Sequence, residues 1–242
     1  MVFNNTLFVT KGSGGNGINT AYQVGNTGVL PTPTDHATVP ITILPGFPTT
    51  LASGTAQDGT TGYPVMFPFG IWFAHANTLY VCDEGDVALV APRIINGQTN
   101  VADDASLATA GIQKWTLQDG TWHLVYVLQD GLDIGVPYSI ANYPAALNPA
   151  TGGCRNLTGR ANGDGTVELF AITSTLSQNG DQGADPNKLV TVKDLLNSLS
   201  LPAGNSGDTE KHAWGYFQVL RTAQAGEVLR GIAFSPSVGG DR

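Results

Sequence analysis

A five-residue strand motif occurs twice in this chain. Asn5-Thr6-Leu7-Phe8-Val9 and Asn77-Thr78-Leu79-Tyr80-Val81 begin 72 positions apart and differ only in the aromatic residue before the valine. Such a repeat restricts the chain to copies of one strand unit, each burying a face against its neighbours. Reading outward with a period of two places four strands in each unit. The inner strand recurs at 69–74, 155–159 and 230–235. The second recurs at 5–10, 77–82 and 167–173, and the third at 17–24, 111–117 and 187–192. The outer strand recurs at 39–44, 122–128 and 216–221. Asp119-Gly120 marks a tight hairpin, and no amphipathic helix of useful length interrupts the series.

Repeated four-stranded antiparallel units are the signature of a β-propeller. The expected fold is therefore all-β, with about three blades' worth of strands. The chain starts at a second strand, and its last strand, 227–235, would supply the inner strand of the first blade. Three blades are too few to close a ring. The expectation is one domain over residues 1–235, either a piece of a longer propeller or half of a ring completed by a second copy, with a flexible tail at 236–242.

Composition narrows the partners. Charged residues make up 12%, while 31 glycines and 14 prolines suit short strands and many turns. The net charge is −8 and lysines and arginines are scattered singly, which argues against nucleic acid. No apolar run is long enough for a membrane span. The low charge fits an extracellular or periplasmic protein, whose signal would lie upstream of this segment. The two cysteines, Cys82 and Cys154, are too few for a disulfide framework and would pair only if the fold brings them together.

Four runs resemble the C-terminal half of large secreted bacterial β-propeller proteins of unassigned function. They are 111–128 (Gly-Ile-Gln-Lys-Trp-Thr-Leu-Gln-Asp-Gly-Thr-Trp-His-Leu-Val-Tyr-Val-Leu), 156–167, 180–190 and 226–236. The resemblance covers most of the chain. It implies a propeller fold and an extracytoplasmic parent, and it carries over no catalytic residue.

Candidate sites follow from this layout. Arg155 and Arg230 share a phase of the inner strand, where two guanidiniums could hold a carboxylate or phosphate; the alternative is that each pairs with a local carboxylate such as Glu227. Trp72 could stack a sugar or simply pack between blades, and His75 could face a channel mouth. Asp181, Asp185 and Asn187 offer one set of oxygen ligands, and Asp83, Glu84 and Asp86 another. Structural calcium is the cofactor such loops would hold, although neither matches the twelve-residue calcium pattern. No Gly-x-Ser-x-Gly elbow, His-Glu-x-x-His or phosphate loop is present. The expected function is a non-catalytic extracellular binding or scaffold module, with a ligand or partner at one face or at the channel mouth. Its partners would be other blades or a second copy of the chain. Two alternatives stand beside it. One is a calcium-dependent hydrolase of the lactonase or phytase kind. The other is a self-assembling subunit that pairs through open blade edges.

Overall fold

The structure is a computed structural model that describes residues 1–12, 17–35, 37–49, 66–85, 93–95, 98–100, 109–176, 183–201 and 214–235. Asp86, Asp181 and the 236–242 tail lie outside the described residues. Three four-stranded antiparallel sheets carry the fold. Sheet one comprises β1 (Val2–Phe3), β2 (Thr6–Lys11), β3 (Thr20–Val24) and β4 (Ile41–Ile43) in that order. Next come β5 (Pro68–His75) and β6 (Thr78–Asp83), then a small separate hairpin of β7 (Arg93–Ile95) and β8 (Gln98–Asn100). Strands β9 (Gly111–Gln118) and β10 (Thr121–Leu128) complete sheet two as β5-β6-β9-β10. Sheet three is β11 (Ala150–Ala161), β12 (Thr166–Leu176), β13 (Lys188–Leu195) and β14 (Gln218–Thr222).

Two expectations need correction. The chain does not start at a second strand: Val2 and Phe3 pair with Leu7 and Thr6 as a first, edge strand of sheet one. Asn4 and Asn5 form the two-residue turn between them at φ 45° and 54°, and asparagine is among the few residues that tolerate this left-handed conformation. Nor is 227–235 a strand. Its backbone is held by side chains, as described below, and Gly231 at φ 70° breaks the extended run. The Asp119-Gly120 turn forms as expected, with both residues at positive φ (49° and 79°).

Sheet two lies between the other two, which explains why Thr78–Asp83 is buried at every position rather than at alternate ones. Leu79 and Val81 join Phe8, Ala21, Leu44 and Phe47 in a core with sheet one. Tyr80 and Cys82 join Cys154, Leu169, Val192 and Phe217 in a core with sheet three. A bulge between Leu124 and Tyr126 reverses the facing of β10. It sends Trp122 to the first core and Tyr126 and Leu128 to the second. Stacked rings consolidate the first core: Phe47 on Trp115 at 4.0 Å and Phe3 on Phe73 at 4.7 Å between centroids. Such pairs contribute about 1 kcal/mol each beyond their buried area.

Candidate functional site

Arg155 and Arg230 come together in the structure. Both line a cavity of about 180 Å³, with Phe69, Asn156, Asn187 and Leu229. Arg155 projects from the middle of β11. Its Nε donates to Glu84 Oε2 at 2.6 Å, and its guanidinium stands over the Phe69 ring at 4.7 Å. Glu84 is buried, whereas the Arg155 side chain keeps a fifth of its surface. Its terminal nitrogens have no hydrogen-bond partner among the described residues.

Arg230 arrives by a different device. Asn187 accepts from the Leu229 N–H at 2.8 Å and donates to the Leu229 carbonyl at 3.0 Å. Its amide thus pairs with the backbone as a neighbouring strand would. Asn156 accepts from the Gly231 N–H at 3.3 Å. The residues on either side of Arg230 are therefore pinned to sheet three, and Arg230 itself donates to the Gly183 carbonyl at 2.8 Å. It forms no ion pair among the described residues. Glu227, expected as a local partner, pairs with Arg221 instead, and the carboxylate that meets Arg155 is Glu84, 71 positions away.

The remaining candidates are spread out. Trp72 is half-buried against the second core, its ring 6.1 Å from that of Tyr80. His75 is exposed and bonded to Asn77. It lies six residues along β5 from Phe69, roughly 20 Å at strand rise. Asp83 is buried, and all its partners are donors: the N–H groups of Phe67 and Gly85 and the Gln113 amide. Glu84 is committed to Arg155 and Asn187 to Leu229. Asp185 accepts from the Tyr143 hydroxyl through Oδ1, while its buried Oδ2 has no hydrogen-bond partner among the described residues. No group of three metal-capable side chains occurs among the described residues. Asp86 and Asp181 lie outside them, so the two proposed ligand sets are represented here by Asp83 and Glu84 and by Asp185 and Asn187.

Asp83 sets up a pH dependence. Burial pushes its carboxyl up to about 7, the Glu84 charge adds to this, and the three N–H donors oppose it. An unfolded aspartate titrates near 4, at about 3.9. The folded state therefore binds this proton more tightly, and the contribution is present below pH 4 and lost as pH rises through 7. The unfolding free energy from urea denaturation should fall by an amount on the order of 2 kcal/mol between pH 5 and pH 8. Asp83→Asn should be weaker at pH 5, because its NH2 faces a donor, and should lack that part of the slope. Equal slopes in the two proteins would remove Asp83 as the cause.

The chemistry available at the cavity is recognition. Its described lining has two guanidiniums, two amides and apolar groups, but no carboxylate, imidazole, thiol or hydroxyl. It can orient an anion; it supplies no general base or nucleophile from those residues. Compared with protein-family models, with curated proteins and with solved structures, the chain matches none.

Proposed function

We propose that this chain is part of an extracellular β-propeller acting as a non-catalytic binding module, and that it holds a small anion between Arg155 and Arg230. The stacking of three four-stranded antiparallel sheets, each joined to the next by an apolar core, supports the propeller reading. The backbones nearly touch where the sheets meet: a Cβ on Gly70 of β5 would lie 2.8 Å from the Arg155 carbonyl oxygen of β11, and one on Gly12, just past β2, would lie 2.4 Å from that of Pro68 in β5. Large side chains, Trp122, Tyr126 and Phe217 among them, fill the cores between the sheets. Ile41 in sheet one and Leu220 in sheet three remain exposed, which suits further blades or a second copy beyond them. The sparse charge and the resemblance to secreted propeller proteins support the location.

The anion reading rests on one observation: Arg230 is anchored at the cavity with no carboxylate partner among the described residues. Glu84 offsets Arg155, so the pair of arginines leaves one positive charge for a ligand. At about 180 Å³ the space is well under the roughly 300–1,000 Å³ of drug-sized sites. It suits a phosphate-, sulfate- or carboxylate-sized group. Calorimetric titration with phosphate, sulfate and small carboxylates should find one site. Arg230→Ala removes an exposed side chain and should weaken it roughly 10- to 100-fold, the worth of a charge-assisted hydrogen bond. Equal binding by both proteins, or none at millimolar anion, would defeat the assignment.

A further inference from the structure

We infer that Cys82 and Cys154 form a disulfide that staples sheet two to sheet three beneath the Arg155–Glu84 pair. The backbone approach at this point is what makes the bond geometrically accessible. A Cβ on Gly153 would lie 2.3 Å from the Asp83 carbonyl oxygen, and one on Gly85 would lie 2.5 Å from the Gly152 carbonyl oxygen. The end of β6 and the start of β11 therefore touch, backbone to backbone, running in opposite directions. Continuing that pairing by one residue sets Cys82 against Cys154. The side chains agree. Cys82 Sγ lies 3.6 Å from the carbonyl oxygen of Asn156, two residues beyond Cys154, and the Cys154 thiol adds to the burial that pushes the Cys82 thiol up. Both are fully buried in the same apolar cluster, and they are the only cysteines in the chain. In the structure they are unbonded thiols.

The oxidant is a low-molecular-weight disulfide such as oxidised glutathione. One cysteine thiolate attacks it, forms a mixed disulfide and releases one glutathione thiolate. The second cysteine, deprotonated, attacks the protein sulfur of the mixed disulfide and releases the other. Two thiol protons are lost, one S–S bond forms in the protein, one breaks in glutathione, and glutathione takes the two electrons. Burial pushes the Cys82 thiol well above its ordinary range, so the attacking thiolate is scarce once the sheets have closed. The bond should form during folding and should then be shielded from reductants. It closes a long loop, the case in which restriction of the unfolded chain is greatest. It also fixes the residues adjoining Glu84 and Arg155, and so ties the wall of the cavity to the redox state.

The test is refolding of the full chain in a glutathione redox mixture, followed by thiol titration in denaturant and peptide mapping. The expected result has no titratable thiol, one peptide pair joined through Cys82 and Cys154, and a mass lower by two hydrogen atoms. The Tm should rise by something on the order of 10 °C over the reduced protein. A Cys82→Ser, Cys154→Ser double variant should show no response of Tm to the redox mixture. If the chain does not refold, the same titration on folded protein held in oxidised glutathione at sub-denaturing urea gives the same reading. Two free thiols, two glutathione adducts, or disulfide-linked dimers would each overturn the inference.

Discussion

Replacing Asp194 with alanine is expected to lower Tm by roughly 10 °C, corresponding to about 3–5 kcal/mol. Asp194 is the penultimate residue of β13 and is fully buried against sheet two, and so is its partner Lys114 within β9, whose Nζ lies 3.2 Å from Oδ2. The charge pair sits inside a satisfied network. The Tyr80 hydroxyl donates to Asp194 at 2.6 Å, and the Tyr126 hydroxyl donates to it at 2.7 Å. Lys114 donates in turn to the Tyr126 oxygen and to the carbonyls of Leu195 and Ser198, and it lies 5.0 Å from the Tyr126 ring centroid. Alanine at 194 would strand one buried ammonium and two buried hydroxyls, and the ammonium dominates the loss.

The size of this loss is not the worth of the ion pair. Burial lowers the Lys114 pKa even with Asp194 beside it, so desolvation is already a heavy opposing cost. A Lys114→Met, Asp194→Leu double variant should therefore recover much of what Asp194→Ala loses, since replacing both members of a buried pair by apolar groups is often nearly neutral. Urea denaturation of the three proteins decides it. An Asp194→Ala loss below about 1 kcal/mol would mean that water reaches the site and that sheets two and three are not sealed there.

The network also shows what the sequence could and could not reveal. Strand positions were legible because a strand's side-chain period is local. The Asn-Thr-Leu repeat located β2 and β6, alternation located β3 and β4, and the recurring Gly-Ile pair placed β9. The edge strand β1 was missed because Val2-Phe3 is only two residues long, though the Asn4-Asn5 turn was its signal. Partners across sheets were not legible. Lys114 stands in an otherwise apolar strand with nothing nearby in sequence to say that Asp194 answers it. Glu84 likewise gave no sign of meeting Arg155, and it read as one of an acidic loop cluster. Such pairings depend on how whole sheets stack, to which no short window is sensitive. Arg230 was placed near Arg155 for an unsound reason, a strand that does not form. What brings it there is the Asn187 and Asn156 clamp; in sequence Asn187 read as an oxygen ligand for calcium and Asn156 as one more residue of an inner strand.

Gly153→Ala should cost about 2–4 kcal/mol, at or above the usual range for overpacking, although it adds a single methyl group. The atoms it would strike are backbone: the Asp83 carbonyl oxygen at 2.3 Å and the Glu84 carbonyl carbon at 2.8 Å. Neither can turn aside as a side chain would, so β6 or β11 must move. Three features share that contact: the Cys82 environment, the three hydrogen bonds held by Asp83, and the Arg155–Glu84 pair. Relief by a small shift would therefore be paid at several places. Gly163→Ala is the matched control. Gly163 sits in the β11–β12 turn with nothing within 4 Å of an added Cβ and no positive φ. Alanine there should be neutral or stabilising by up to about 1 kcal/mol through the unfolded chain. Thermal and urea unfolding of both variants separates backbone contact from a general intolerance of alanine. Because Gly153 is two residues from Arg155, the variant should also bind phosphate more weakly at a temperature where it is fully folded. A Gly153→Ala protein as stable as its control would mean that β6 and β11 do not approach this closely, and the stacking of sheet three on sheet two that supports a propeller would lose that contact.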